Sequence, residues 1–493
     1  MKFAMSRRNE IILIVALTLL GAALRAFQLG ASSLWLDELF SVLLARRDPG
    51  VIIAGTMQDT MPPLYYLLLH FVLRFNDSES AARALSTIFS IAAIPWFYAL
   101  ARDLFDQRVA SIAALLLVLN PLQVFYAQEA RMYALLVFCA LAAMFFFARA
   151  WRKDCARDWA WFTITMTCAF YTHSVAFLNL LALDLFVLTQ VQMFRVRWRA
   201  LVIAHIVIGV LFAPWLAISM QQVARVQSGF WGAMPSPLVL ITTPHLFLFS
   251  NVLPMWLMPF AFFAALGAPV FGLLAAWRAR EANPHDAFGI PFALALFLVP
   301  LIALYGMSLV RPIFVERTIL PASLGLYLVL AWTALHAPPR VLTRGLIGVI
   351  VIAMMLALPS YYFDAENQKP PMRDAARALT AQFRPGDAIA HTSDSSALAF
   401  AYYAPELPND FLAGDLDYIT ATTRGQSGRI AGLAPKNLQA VIAKHARVWL
   451  VVALDHNVEY QRARVIEFDQ MGRRSETLNV GGIWLILYVW ESQ

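Results

Sequence analysis

Two short stretches of this chain carry residue types that can do chemistry. The first runs Ser32-Ser33-Leu34-Trp35-Leu36-Asp37-Glu38-Leu39-Phe40-Ser41. Adjacent carboxylates among apolar neighbours raise each other's proton affinity through burial and like charge, which suits a general base. The same residues also read as a polar loop with Trp35 as an interfacial anchor. The second stretch is Tyr126-Ala127-Gln128-Glu129-Ala130-Arg131-Met132-Tyr133. Arg131 keeps its charge and offers a planar fork of donors to a phosphate. Glu129 could orient it or take a sugar hydroxyl. The plain alternative is a Glu129–Arg131 pair closing a tight turn.

Between them lies Met61-Pro62-Pro63-Leu64-Tyr65-Tyr66, where the two prolines start a short apolar helix at a bilayer surface. A lipid-linked substrate would enter there, which makes Tyr65, like Tyr133 of the second stretch, a candidate substrate contact. His173 reads either as a substrate contact or as a turn histidine. Arg317 sits at the start of an apolar run, in Arg311-Pro312-Ile313-Phe314-Val315-Glu316-Arg317. Arg83, Arg225, Arg311 and Glu316 are further polar residues near the ends of apolar segments.

The elements that must hold these residues are membrane helices. The chain has 493 residues, 60% hydrophobic and 14% charged, with mean hydropathy +0.63. Soluble domains carry about 25% charged residues. Apolar runs of helix-spanning length recur along most of it, so the fold class expected is an α-helical polytopic membrane protein. Soluble enzymes, transcription factors and β-barrels are excluded. The pI near 9.4 reflects membrane orientation and predicts no nucleic-acid partner. Cys139, Cys155 and Cys168 are too few and too irregularly spaced for a disulfide framework or a zinc site, and read as packing residues. The basic N-terminus and the apolar run after it look like a signal peptide, but no small-residue cleavage site follows, so the run reads as an uncleaved first helix.

Eleven transmembrane helices are expected, near 10–29, 82–101, 109–126, 131–149, 158–173, 174–191, 200–219, 252–276, 290–309, 313–335 and 345–360. The 14-residue run 62–75 is left out as interfacial. With the N-terminus inside, the cytoplasmic segments carry sixteen basic residues and the external loops before residue 361 carry eight, as the positive-inside rule demands. Counting 62–75 as a span would put the densest basic clusters outside. Two domains follow: 1–360 in the membrane, with external loops at 30–81 and 126–131, and an external, water-soluble α/β domain at 361–493. The latter holds 15 of the 31 acidic residues. Short apolar runs at 388–391, 448–452 and 483–489 predict strands there, and 373–383 and 438–445 predict helices.

Five motifs taken in order form a pattern: Leu34-Trp35-Leu36-Asp37-Glu38, Pro62-Pro63-Leu64-Tyr65-Tyr66, Ala82-Arg83-Ala84-Leu85-Ser86, Tyr126 to Tyr133, and Pro312 to Arg317. The pattern resembles the bacterial polyprenyl-phosphate-sugar-dependent glycosyltransferases of the GT-C superfamily. These are relatives of protein O-mannosyltransferases and of the aminoarabinose and galacturonic acid transferases that act on lipid A. It covers most of the chain and departs at Met61, where many relatives have His, so no role is carried to that position.

The resemblance implies a GT-C membrane domain in the cytoplasmic (inner) membrane, with the C-terminal domain on the periplasmic or extracellular side. It implies an inverting glycosyltransferase that moves a sugar from a polyprenyl-phosphate donor to an acceptor hydroxyl of a lipid, a polysaccharide or a protein. Asp37 would be the catalytic base, with Glu38 supporting it or holding the acceptor. Arg131, and less directly Arg317, would bind the donor phosphate; Glu129, Tyr65, Tyr133 and His173 would line the substrate. No cofactor or metal is expected, although Asp37, Glu38 and Glu129 have the chemistry to ligate a divalent ion. Two other classes stay in view. A transporter or flippase of a lipid-linked sugar would place ionisable residues at mid-helix, where Asp184 is the main example. An assembly partner would depend on residues 365–493 rather than on Asp37 and Arg131.

Overall fold

A computed structural model describes residues 5–229, 234–279, 284–408, 410–411, 430, 433, 444–453 and 458–490. The chain divides into two compact units. One comprises residues 1–27, 83–220 and 232–367; the other comprises 28–82, 221–231 and 368–493.

The first unit is helical. It is built from α1 (Arg7–Ala26), most of α5 (Glu79–Leu104), α6 (Gln107–Leu119), α7 (Pro121–Ala127), α8 (Tyr133–Lys153), α9 (Ala156–Thr172), α10 (Phe177–Leu188), most of α11 (Val191–Gly229), α12 (Val239–Phe249), α13 (Met258–Ala279), α14 (Pro284–Val310), α15 (Ala322–His336) and α16 (Arg340–Phe363). Among the described residues, seven helices are long and apolar enough to cross a bilayer. Counting α6 and α7 as one span bent by 58° makes eight. Each of the eleven expected segments coincides with a helix, but three of those helices fall short of that length: α9, the stretch Ser174–Leu188, and α15. The reason for α15 is tertiary. It is enclosed on every side from Ala322 to Ala334, so other helices surround its backbone. Asp184, the interior acid, is paired with His205 of α11, Oδ1 to Nε2 at 3.0 Å. Cys139, Cys155 and Cys168 are free thiols.

Two devices satisfy the backbone where α6 breaks. A helix end inside an apolar layer strands its last carbonyls. Here the fully buried Arg25 donates to Leu117 O (3.0 Å), Val118 O (3.3 Å) and Gly21 O (3.2 Å), and to Ser90 Oγ (2.8 Å). Asn120 then starts α7: its Oδ1 accepts from Gln123 N (2.9 Å), and Pro121 occupies the first helical position. Asn120 Nδ2 also donates to Phe247 O and Leu248 O at the end of α12.

In the second unit, α2 (Leu36–Ala45), α3 (Pro49–Gln58) and α4 (Leu64–Leu73) join a five-stranded sheet. The strands are β1 (Ala388–His391), β2 (Asp410–Phe411), β3 (Arg447–Val452), β4 (Arg473–Val480) and β5 (Ile483–Val489), in the order β2-β1-β3-β5-β4. β1 runs parallel to β2 and β3, while β5 is antiparallel to β3 and β4. The expected strands at 388–391, 448–452 and 483–489 are β1, β3 and β5, and the expected helix at 373–383 is α17 (Met372–Thr380). The expected helical residues 438–443 lie outside the described residues. The polar strand β4 was not expected. Its hairpin turns at Gly481-Gly482, with φ of +55° and +92°, the backbone a two-residue hairpin needs and glycine accepts without strain. Phe468, from the helix Val458–Met471, covers the sheet through Tyr488 at 5.2 Å.

Two predictions follow from packing and charge. A Cβ at Gly325 of α15 would stand 2.5 Å from Ala293 O and 2.6 Å from Phe297 N on α14. Gly325→Val should therefore force these helices apart and cost about 1–3 kcal/mol, read as a lower Tm in detergent. Asp387 precedes β1 and accepts from Arg447 Nε (2.6 Å), Arg447 Nη2 (3.2 Å), Trp449 Nε1 (3.0 Å) and Arg384 N (3.1 Å). Burial pushes this carboxyl up, yet the Arg447, Arg384 and Trp449 bonds together outweigh it and hold it below its ordinary 3.8. A depressed folded pKa contributes stability above the unfolded pKa and loses it as pH falls through the folded value. Asp387→Asn should thus lower Tm most near pH 7, and the gap to the wild type should close as pH falls below about 4.

Candidate active site

The acidic stretch forms the first turn of α2. Asp37 and Glu38 are its second and third residues, where a helix dipole favours negative charge. Their surroundings differ. Asp37 is partly exposed, whereas Glu38 has no exposed surface. Glu38 Oε2 accepts from Lys369 Nζ at 2.8 Å and from the Trp35 backbone N–H at 3.4 Å. Lys369 follows the membrane segment in sequence and heads the C-terminal part of the same unit.

The rest of this stretch is tied down by neighbours of Lys369. The Arg373 backbone N–H donates to Ser33 Oγ (3.2 Å), and its guanidinium donates to Ala31 O (2.9 Å) and Glu79 Oε2 (2.8 Å). The Tyr403 hydroxyl accepts from Leu34 N and donates to Glu79 Oε1, both at 2.7 Å. Behind Asp37, Phe40 meets the Tyr66 ring edge-on at 6.0 Å, and Tyr66 meets Tyr65 at 6.0 Å. Tyr65 is fully enclosed. Sequence reasoning did not find Lys369, Arg373 or Tyr403, because nothing local ties them to residues more than 280 positions earlier.

The basic stretch lies in the helical unit, and the structure gathers the predicted residues of that unit around it. α5 grips its turn: Thr87 Oγ1 donates to Ala127 O (2.8 Å) and Ser86 Oγ to Arg131 O (3.0 Å). Gln128 Nε2 donates to Arg25 O (2.9 Å) and Phe27 O (2.7 Å), and its Oε1 accepts from Tyr361 (2.8 Å). The Arg25 that caps α6 therefore also anchors this turn. Sequence reasoning missed Arg25, although an ionisable residue inside an apolar run is a signal that could have found it.

Glu129, Arg131, Tyr133 and His173 are all buried. Arg317 is partly exposed and stands over the Tyr133 ring at 5.7 Å. Tyr133 contacts Tyr126 at 4.9 Å and His173 at 6.0 Å. The charges of Arg131 and Arg317 both act on His173, and Glu129, Arg317 and Glu316 all act on Tyr126. His173 Nδ1 accepts from the Val175 N–H at 3.2 Å. A neutral ring must then carry its proton on Nε2, and among the described residues that atom has no partner. Two guanidinium groups and a buried N–H donor are of the chemistry that suits an anion. Among the described residues no three His, Cys, Asp or Glu side chains gather to hold a metal ion.

Residues 60–218 match the family model described as dolichyl-phosphate-mannose-protein mannosyltransferase. No curated protein matches the chain. Among solved structures, ArnT from Cupriavidus metallidurans in the apo state aligns with TM-score 0.64 and 13% identity, covering 97% of each chain. ArnT from the same organism bound to undecaprenyl phosphate aligns with TM-score 0.62 and 14% identity over 98% of each chain. The oligosaccharyltransferase AglB from Archaeoglobus fulgidus, in complex with an inhibitory peptide and a dolichol-phosphate, aligns with TM-score 0.51 and 13% identity, covering 97% of this chain and 74% of that one. The chain thus shares its fold with these structures over nearly its whole length, and the family model matches it over residues 60–218.

Proposed function

We propose that this protein is an inverting glycosyltransferase that moves a sugar from a polyprenyl-phosphate donor to a hydroxyl of a lipid, polysaccharide or protein acceptor at the outer face of the cytoplasmic membrane. The observation that supports the reading is the clustering of Arg131, Arg317 and the His173 Nε2–H, in a fold shared with ArnT bound to undecaprenyl phosphate.

In this reading Asp37 takes the proton of the acceptor hydroxyl. The acceptor oxygen attacks the anomeric carbon on the face opposite the phosphate. The bond from that carbon to the phosphate oxygen breaks, and its electron pair leaves with the lipid phosphate. Arg131 and Arg317 hold the charge that grows there, and His173 adds a hydrogen bond. Preorganised donors of this kind act most strongly where water is excluded. A phosphate leaves without being protonated, so one base is enough, in contrast to the carboxylate pairs of most glycoside hydrolases. Tyr133, with Arg317 above it, offers a face to the sugar, and Glu129 accepts from its hydroxyls. The partial exposure of Asp37 and the enclosure of Glu38 support Asp37 rather than Glu38 as the base. Tyr65 supports α2 through Tyr66 and Phe40. In this reading the C-terminal sheet lies outside the membrane, on the side of the acceptor.

Transfer of labelled sugar from a polyprenyl-phosphate donor to envelope lipids and glycans tests the roles separately. Asp37→Asn should lower kcat by about 10²–10⁴-fold and leave binding of the donor intact. Arg131→Met should weaken binding of undecaprenyl phosphate at least tenfold. An Asp37→Asn protein with wild-type turnover, or an Arg131→Met protein with wild-type lipid-phosphate affinity, would refute the corresponding assignment.

A further inference from the structure

We propose that Lys369 is a positioning residue for sugar transfer, acting through Glu38 to hold Asp37 in the orientation that the base needs. The inference rests on the reading of Asp37 given above.

Two carboxylates next to each other at the start of a helix repel, and the buried one has the stronger reason to take a proton or to swing outward. Neither is necessary here, because Lys369 Nζ lies 2.8 Å from Glu38 Oε2 and only 15% of its side chain is exposed. The ion pair leaves Asp37 as the first-turn carboxylate of α2 that remains partly open to solvent. It also fixes the helix that carries Asp37. Glu38 is held from its own turn by the Trp35 N–H and from 331 positions away by Lys369, so α2 has little freedom to rotate about its axis. Arg373 and Tyr403, four and thirty-four residues beyond Lys369, hold residues 31–34 at the entry to α2. A segment that leads into the sheet thus reaches α2 through the charged contact of Lys369 with Glu38, and the entry to α2 through Arg373 and Tyr403. The charged contact is the one that also bears on Asp37 chemistry.

The experiment is a double-mutant cycle on the full-length protein in lipid nanodiscs, with donor KM, kcat and Tm read for each variant. Lys369→Met should lower kcat on the order of 10²-fold, the scale of a misplaced catalytic group, with donor KM within about twofold, since the phosphate ligands are untouched. Lys369→Arg keeps the charge and should recover most of kcat. Glu38→Gln combined with Lys369→Met should be no slower than the slower single variant, because the lysine acts through the carboxylate. Wild-type kcat in Lys369→Met, whatever its Tm, would overturn the inference, as would fully multiplicative losses in the double variant or an equally slow Lys369→Arg. A wild-type protein that transfers no sugar would instead overturn the glycosyltransferase reading itself, and this inference with it.

Discussion

A carboxylate with no exposed surface stays ionised only where a cation and hydrogen bonds are built around it, and Glu38 has both. Breaking such a pair from one side costs about 3–5 kcal/mol, so the contact between Glu38 and Lys369 also commits residues 28–82 to one arrangement with the sheet. Around it sit Arg373, Tyr403 and Glu79, each satisfied by another member of the group. The helix bearing Asp37 therefore does not belong to a loose connection between two membrane helices. It belongs to a packed unit whose other half is encoded more than 300 residues later.

The helical unit solves a different problem by similar means. A turn that presents Glu129, Arg131 and Tyr133 interrupts the regular hydrogen bonding of a bundle, and every backbone group it frees needs a partner. Arg25 and Asn120 supply partners at the break after α6; Ser86, Thr87 and Gln128 supply them at the turn itself. These residues hold the turn that carries Arg131 and Tyr133, and His173 and Arg317, from two other places in the sequence, stand beside Tyr133. In the proposed reading, a lipid phosphate brought there finds donors already in position.

Much of this was legible in the sequence, and the parts that were not have identifiable causes. Each long apolar run became a helix, and β1, β3 and β5 lie on the short apolar runs, because burial of hydrophobic side chains dictates both. The short run ending at Phe75 gave the ten-residue helix α4. The motif around Arg131 pointed to neighbours that the structure assembles. Three kinds of feature were hidden. Strand β4 is polar along most of its length and pairs through its backbone, which leaves no hydrophobic pattern. The shortness of α15 follows from its enclosure, a tertiary fact. The partnership of Glu38 with Lys369 spans 331 positions, and no local spacing encodes it.

The central claim is that one base and one phosphate site carry out a single displacement at the anomeric carbon. The most direct measurement is the configuration of the bond that the protein makes. Purified protein would be given a polyprenyl-phosphate sugar of known anomeric configuration and envelope acceptors, and the product would be read by NMR. The account predicts a glycosidic bond of the opposite configuration. A product that retains the configuration of the donor would require a second displacement and a covalent sugar–enzyme intermediate, and would contradict it.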